Sequence, residues 1–397
     1  MGMTPSRLPV SRRLRWGGRD SSQASRTSGF SLFRTPGASR YRERMLRGGF
    51  RAATVVAVVM TFAMLLIAWA YDLPVRDPDG VSVPTWVRLP LIVAAAVALD
   101  VVIRWVVLLR REEVGGLTAL RTVVRDRWHR DQVWFTVSGL VAWYASYVAF
   151  RNLKNYVPFV NDRLWDTELA RLDRLLWLGN DPATVLHHVL GTGLAAQVLT
   201  VVYVLWIGLV PATLAIALVW TRFSRTGAWF VTAVSMNWLF GAAVYYAFPS
   251  LGPIYSAPGD FDDLPRTFNT TIQEWLLEDR VEVLADPSAT QAVQTIAAFA
   301  SLHVAITVTL CLFLEIIRLP AWIRVSAWVF AGLTVLSTVY LGWHFFVDVL
   351  GGVVIGALSL AVAAWATGSS LRRRPYAWSA PTAERKRPAY SPASPSS

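Results

Sequence analysis

The sequence predicts an all-α fold, a polytopic integral membrane helical bundle of about eight transmembrane helices. Three observations carry this. Of 397 residues, 54% are hydrophobic and 16% charged, with a mean hydropathy of +0.41, which excludes a soluble domain of average composition. The apolar residues are gathered into runs of about 20, the length a helix needs to cross roughly 30 Å of hydrocarbon. Lipid offers no partners to unpaired backbone groups, so only helices or closed barrels can span it, and runs this long are helical.

Taken in order, residues 1–50 are rich in Arg and Ser and lack an apolar core near Met1. They predict a disordered basic cytoplasmic arm rather than a signal peptide. Crossings are expected at 51–71, 89–109, 132–151, 194–220, 228–248, 301–318, 321–341 and 344–367. Residues 51–131 thus hold two helices and a basic loop, 132–367 hold six more, and 368–397 form a disordered tail ending SPASPSS. In the connection 152–193, Leu169, Leu172, Leu175 and Leu176 oppose Arg171, Asp173 and Arg174, the pattern of a short helix lying on the membrane surface. The segment 249–300 opens with FPSLGP, continues through an acidic stretch, and is expected to form an outer cap.

Of the 38 Lys and Arg, 29 fall in the N-terminal arm, the 104–131 loop, the two short turns near 222–225 and 318–324, and the tail. Basic loops stay cytoplasmic, so both termini are expected inside, in a multi-pass protein of the cell membrane. The same asymmetry accounts for the net charge of +12, and no nucleic-acid partner is needed to explain it. Cys311 is the single cysteine, so neither a disulfide nor a thiolate metal site is possible within the chain. No nucleotide loop, metal-spaced cluster or internal repeat is present, and no cofactor or metal is implied. His187 and His188, in LHHVLG, read as interfacial residues.

Chemistry points to two other histidines. His303 opens the sixth crossing in AFASLHVAIT, and His344 opens the eighth in YLGWHFFVDVLGG. A complete hairpin separates them, so both return to the same depth on the outer side. Asp348 follows His344 by one helical turn, which puts carboxylate and imidazole on one face. A carboxylate that accepts the Nδ1 proton fixes the tautomer of a nucleophilic imidazole and stabilises the cation formed later. For this pair alone, helix packing is an equally good explanation. The second histidine decides for chemistry: His303 sits one turn into a helix whose first N–H groups suit a phosphate oxygen, and it can protonate a departing alkoxide.

SLH at 301–303 and S-T-x5-H-x3-D from Ser337 to Asp348 resemble the second and third motifs of the type-2 phosphatidic acid phosphatase superfamily, which read PSGH and SR-x5-H-x3-D. The resemblance covers about 132–367 and implies a six-helix phosphatidic acid phosphatase-like core. Leu302 and FPSLGP look more like the inositol phosphorylceramide synthase (inositolphosphotransferase) branch. The resemblance implies that His344 forms a phosphohistidine, that Asp348 supports it, that His303 acts as acid and then base, and that Ser301 binds a phosphoryl oxygen. Thr338 stands where many members carry a phosphate-binding Arg, and no cation lies between Tyr245 and Tyr255, where the first motif, K-x6-RP, would fall. Phosphoryl transfer spreads negative charge over the oxygens, so another cation is required. Arg151, Lys154 and Arg266 are the candidates, with Arg151 favoured because it ends a core helix.

The expected activity is a membrane-embedded lipid phosphate phosphatase or phosphotransferase whose site opens to the outer face. Its partners are a lipid-linked phosphate and the surrounding membrane lipids. Headgroup transfer of the phosphoinositol type to a lipid alcohol, and a non-catalytic carrier on the same fold, are the alternatives. Sequence leaves the lipid and the oligomeric state open.

Overall fold

A computed structural model describes residues 49–78, 85–111, 115–220 and 225–372. The expected arm and tail lie almost wholly outside these residues. Among the described residues thirteen α-helices run in order: α1 (Arg51–Ala70), α2 (Thr85–Arg111), α3 (Gly116–Arg127), α4 (Arg130–Val160), α5 (Asp166–Leu176), α6 (Pro182–Leu190), α7 (Leu194–Ala215), α8 (Arg225–Ala247), α9 (Pro253–Ser256), α10 (Phe268–Ala285), α11 (Leu302–Ile316), α12 (Ala321–Tyr340) and α13 (Phe346–Thr367). The fold is all-α among the described residues, and six helices, α1, α4, α7, α8, α12 and α13, are long and apolar enough to cross a membrane.

The two other expected crossings fall on α2, which carries Asp100, Arg104, Arg110 and Arg111, and on α11. Helix α11 is apolar but spans only 15 residues, about 23 Å at 1.5 Å per residue. The chain before it, through 286–301, is not helical.

Helix α4 runs nine residues past the expected end of the third crossing. The polar stretch read as a loop is satisfied inside the fold. Asn152 accepts the Arg76 N–H and donates to Val148 O, and Asn155 accepts the N–H of Gln294. Buried polar groups that keep their hydrogen bonds do not force a helix to end.

Packing places α13 against α11 and α8, α8 against α4, and α1 against both α4 and α8, while α12 lies against α11 and α7. Met60 and Met64 of α1, Phe135 and Phe150 of α4, Trp238 of α8, Phe313 of α11 and Leu360 of α13 join one buried apolar cluster. The first helix is therefore part of the core. On α13, Cβ atoms added at Gly352 and Gly356 would run into the carbonyls of Ser301 and Ala305. Small residues here let α11 and α13 approach backbone to backbone.

At the end of the bundle opposite the histidines, α7 closes in a π-turn, Ile216–Trp220, which frees carbonyls for side-chain donors. Gln132 and Thr136 donate to Leu218 O at 3.2 Å, and the Arg127 guanidinium donates to Val219 O. Arg127 is in turn paired with Asp100 at 3.2 Å, and both side chains are buried.

The expected short helix exists as α5, with Leu169 departing from the expected leucine face to lie buried beside two acids. Asp166, Leu169 and Asp173 are buried, whereas Leu172, Leu175 and Leu176 are exposed. The leucines are free to meet lipid, and the acids turn inward because backbone N–H groups await them there.

Candidate active site

Three side chains from α11, α13 and the turn between α12 and α13 converge. His303 Nδ1 lies 3.0 Å from His344 Nε2, and His344 Nδ1 lies 3.2 Å from Asp348 Oδ2. With Asp348 as a carboxylate accepting the Nδ1–H of His344, the Nε2 lone pair faces the N–H of His303. The same Asp348 oxygen accepts the Phe345 N–H at 3.0 Å, while Oδ1 is buried with no partner among the described residues. His344 is 4% exposed and Asp348 fully buried.

The backbone fixes this geometry from several sides. Ser301 donates its N–H to the Asp348 carbonyl at 3.0 Å, and its Oγ accepts the Val304 N–H as the N-cap of α11. The turn holding His344 is closed by Trp343 and His344 N–H groups, both donating to Thr338 O. Gly342 takes φ +74° in this turn, which only glycine adopts without strain. Tyr203 stacks on Trp343 at 4.9 Å, and Trp206 lies 4.2 Å from the His303 ring, so α7 supplies an aromatic wall.

Two buried acids of α5 clamp the loops around the site. Asp173 accepts the N–H groups of Phe346 and Val347 at 2.6 and 2.7 Å, capping the start of α13. A carboxylate at a helix N-terminus satisfies orphan donors and meets the positive end of the helix dipole. Asp166 accepts the N–H groups of Leu251 and Gly252 at 2.9 Å, holding FPSLGP in place. Gly252 has φ +99°, and a Cβ there would stand 2.6 Å from Trp343 O. Burial raises the Asp173 carboxyl to about 6, against the opposing N–H bonds, with the charges of Asp348 and Asp181 adding to the rise. Burial likewise raises Asp166, against its N–H bonds from Gly252 and Leu251.

A cavity of about 600 Å³ opens onto His303 and His344. Arg151 and Lys154 line it with them. Lys154 sits 5.0 Å over the Tyr245 ring, and its charge is felt at both imidazoles. Arg151 has its Nε buried without a partner among the described residues, and its charge reaches Asp279 on α10. The cap supplies Leu251, Tyr255, Ile272 and Leu276 to the lining.

Of the residues singled out in the sequence, His303, His344 and Asp348 are thus in direct contact, and Arg151 and Lys154 share their cavity. Ser301 is buried beside them as a helix cap and does not line the cavity. Arg266 is elsewhere: it is exposed, pairs with Glu274 at 2.6 Å, and is not among the lining residues. The loop before α10 turns it toward Glu274 on that helix. His187 is buried, with Nε2 2.8 Å from Tyr340 O, so it is a packing residue of α6. Sequence reasoning missed Asp166 and Asp173. Their spacing of two helical turns, with Leu169 between, was the available signal. Among the described residues no group of three His, Cys, Asp or Glu is placed to hold a metal.

No curated protein and no solved structure matches the chain. The span 167–362, just under half of the chain, matches the family model described as the PAP2 superfamily. It begins one residue into α5 and ends within α13, so it takes in Asp173, His303, His344 and Asp348, and leaves Asp166 and α1 to α4 outside. Residues 167–362 of this membrane protein are thereby identified as a PAP2 (phosphatidic acid phosphatase type 2) superfamily domain.

Proposed function

We propose that the protein is a lipid phosphate phosphatase acting through a phosphohistidine at His344, in an eight-crossing bundle with both termini cytoplasmic and its site at the outer face. A PAP2-superfamily domain with membrane-spanning helices supports a lipid phosphatase or transferase in general. The observation that carries the finer reading is the line His303–His344–Asp348, with contacts of 3.0 and 3.2 Å.

In the first step, His344 Nε2 attacks phosphorus while the bond to the ester oxygen breaks. Asp348 holds the Nδ1 proton and stabilises the imidazolium that results. The 3.0 Å contact between the imidazoles opens to admit the phosphoryl group, and His303, as an imidazolium on the leaving-group side, gives a proton to the departing alkoxide. Lys154 and Arg151 balance the charge that spreads over the phosphoryl oxygens, the role left vacant by Thr338. In the second step His303 takes a proton from water, which attacks phosphorus and frees His344.

The cap favours a second reading. Leu251, Tyr255 and Ile272 add apolar surface to the cavity lining, and a site that limits water can pass the phosphoryl group, bare or carrying a headgroup such as phosphoinositol, to a lipid alcohol instead. Purified protein is incubated with phosphatidic acid, a polyprenyl diphosphate and a phosphoinositide, with and without a lipid alcohol, and the products are separated. Free phosphate supports hydrolysis, and a new phospholipid supports transfer. No product from any substrate, or the same product from His344→Ala, leaves the non-catalytic carrier as the account.

A further inference from the structure

The cavity does not stop at the imidazoles. From His303, His344 and Lys154 it continues between α4 and α7, past Trp143, Leu140, Val210 and Leu214, down to Thr136 and Leu218. Arg151 and Thr136 mark its two ends along α4, about 22 Å apart at 1.5 Å per residue. One leaflet of hydrocarbon is roughly 15 Å deep. The cavity is therefore longer than one leaflet is deep.

Its chemistry is divided along that length. Both cations of the lining stand at the imidazole end, and the middle is apolar and aromatic. The inner end is closed by the π-turn, whose carbonyls are locked by Thr136, Gln132 and the Arg127–Asp100 pair. Such a floor is stiff, because moving it would strand buried charges. One side wall comes from Val93 and Ala96 of α2, a helix outside the span that matches the superfamily.

We propose that this cavity is a ruler for the hydrocarbon tail of the phosphate ester: the tail is drawn into the protein between α2, α4 and α7, and the floor at Thr136 and Leu218 sets the longest chain accepted. The proposal rests on the reading of His344 as the phosphate site. The headgroup end is fixed by charge, the tail end by a wall, and the distance between them selects chain length. The extra helix α2 keeps the tail from spreading into the bilayer.

The test uses full-length protein in nanodiscs and a graded series of monoalkyl phosphates carrying a terminal diazirine. Photolabelled peptides are mapped, and phosphate release is followed in parallel. The label is expected to move inward along α4 as the chain lengthens, reach the region of Thr136 and the 216–220 turn, and go no further. Leu140→Trp fills the middle of the cavity and should shift the preferred chain to a shorter length, with labelling and turnover of long chains falling relative to short ones. Val210→Trp does the same from the α7 side, so a folding defect in one variant leaves the other to decide. Labelling confined to lipid-facing surfaces, label positions independent of chain length, or unchanged length preference in both variants would overturn the ruler. If labelling follows the expected course but no phosphate is released, the reaction fails and the tail site stands; phosphate release with label elsewhere is the reverse.

Discussion

Asp173→Asn separates stability from turnover. The wild-type side chain is 1% exposed and gives one oxygen to each of two N–H groups at the start of α13. Burial pushes its carboxyl up from the ordinary 3.8 to about 6. Between these values the folded protein holds a proton that the unfolded chain has released. The stability contributed by that proton is therefore complete below about pH 4 and is lost as pH rises through about 6. Some two pKa units at 1.36 kcal/mol each come to about 3 kcal/mol. Asparagine does not titrate, so the variant should gain about 3 kcal/mol on the wild type between about pH 4 and pH 7. Turnover should move the other way. The amide offers one oxygen where the carboxylate offers two, so one N–H beside the His344 turn loses its partner, and kcat should fall roughly tenfold. Thermal unfolding in detergent across that pH range, with steady-state turnover at neutral pH, reads both effects. A stability gap that stays flat with pH, or full turnover in the variant, would refute the role given to Asp173.

The remaining predictions concern packing and charge. Gly352→Ala would push a methyl group against the Ser301 carbonyl, and backbone cannot step aside; overpacking of this kind should cost about 1–3 kcal/mol in unfolding free energy and lower turnover together. Lys154→Ala should cut kcat/KM roughly 10- to 100-fold, the worth of a hydrogen bond to a charged group, in a steady-state assay of lipid phosphate hydrolysis. Arg266→Ala, which breaks only an exposed pair with Glu274, should stay within about twofold of wild type in the same assay.

Much of the fold was legible because lipid imposes a simple code. Apolar runs of helix-spanning length gave the six long helices, and the i to i+4 step from His344 to Asp348 gave a contact the structure makes at 3.2 Å. The meeting of His303 and His344 was also legible, from a hairpin that returns the chain to one depth. Three features were not. Asp166 and Asp173 looked like solvent-facing residues because their partners are backbone N–H groups more than 80 residues away in the chain, which no local pattern encodes. The continuation of α4 through Asn152 and Lys154 was hidden for the same reason, since its polar residues are satisfied by Arg76 and Gln294. The extent of the cavity depends on where α2, α4 and α7 stand around it, and a hydropathy profile carries no information about that.

Trapping the covalent intermediate tests the central claim most directly. Wild-type protein is mixed with a lipid phosphate labelled at phosphorus, quenched in alkali within the first turnover, and digested for phosphopeptide mapping. The account predicts acid-labile, alkali-stable label on the peptide containing His344, and none in His344→Ala. Steady phosphate release with no label on that peptide, or label that persists in His344→Ala, would contradict it.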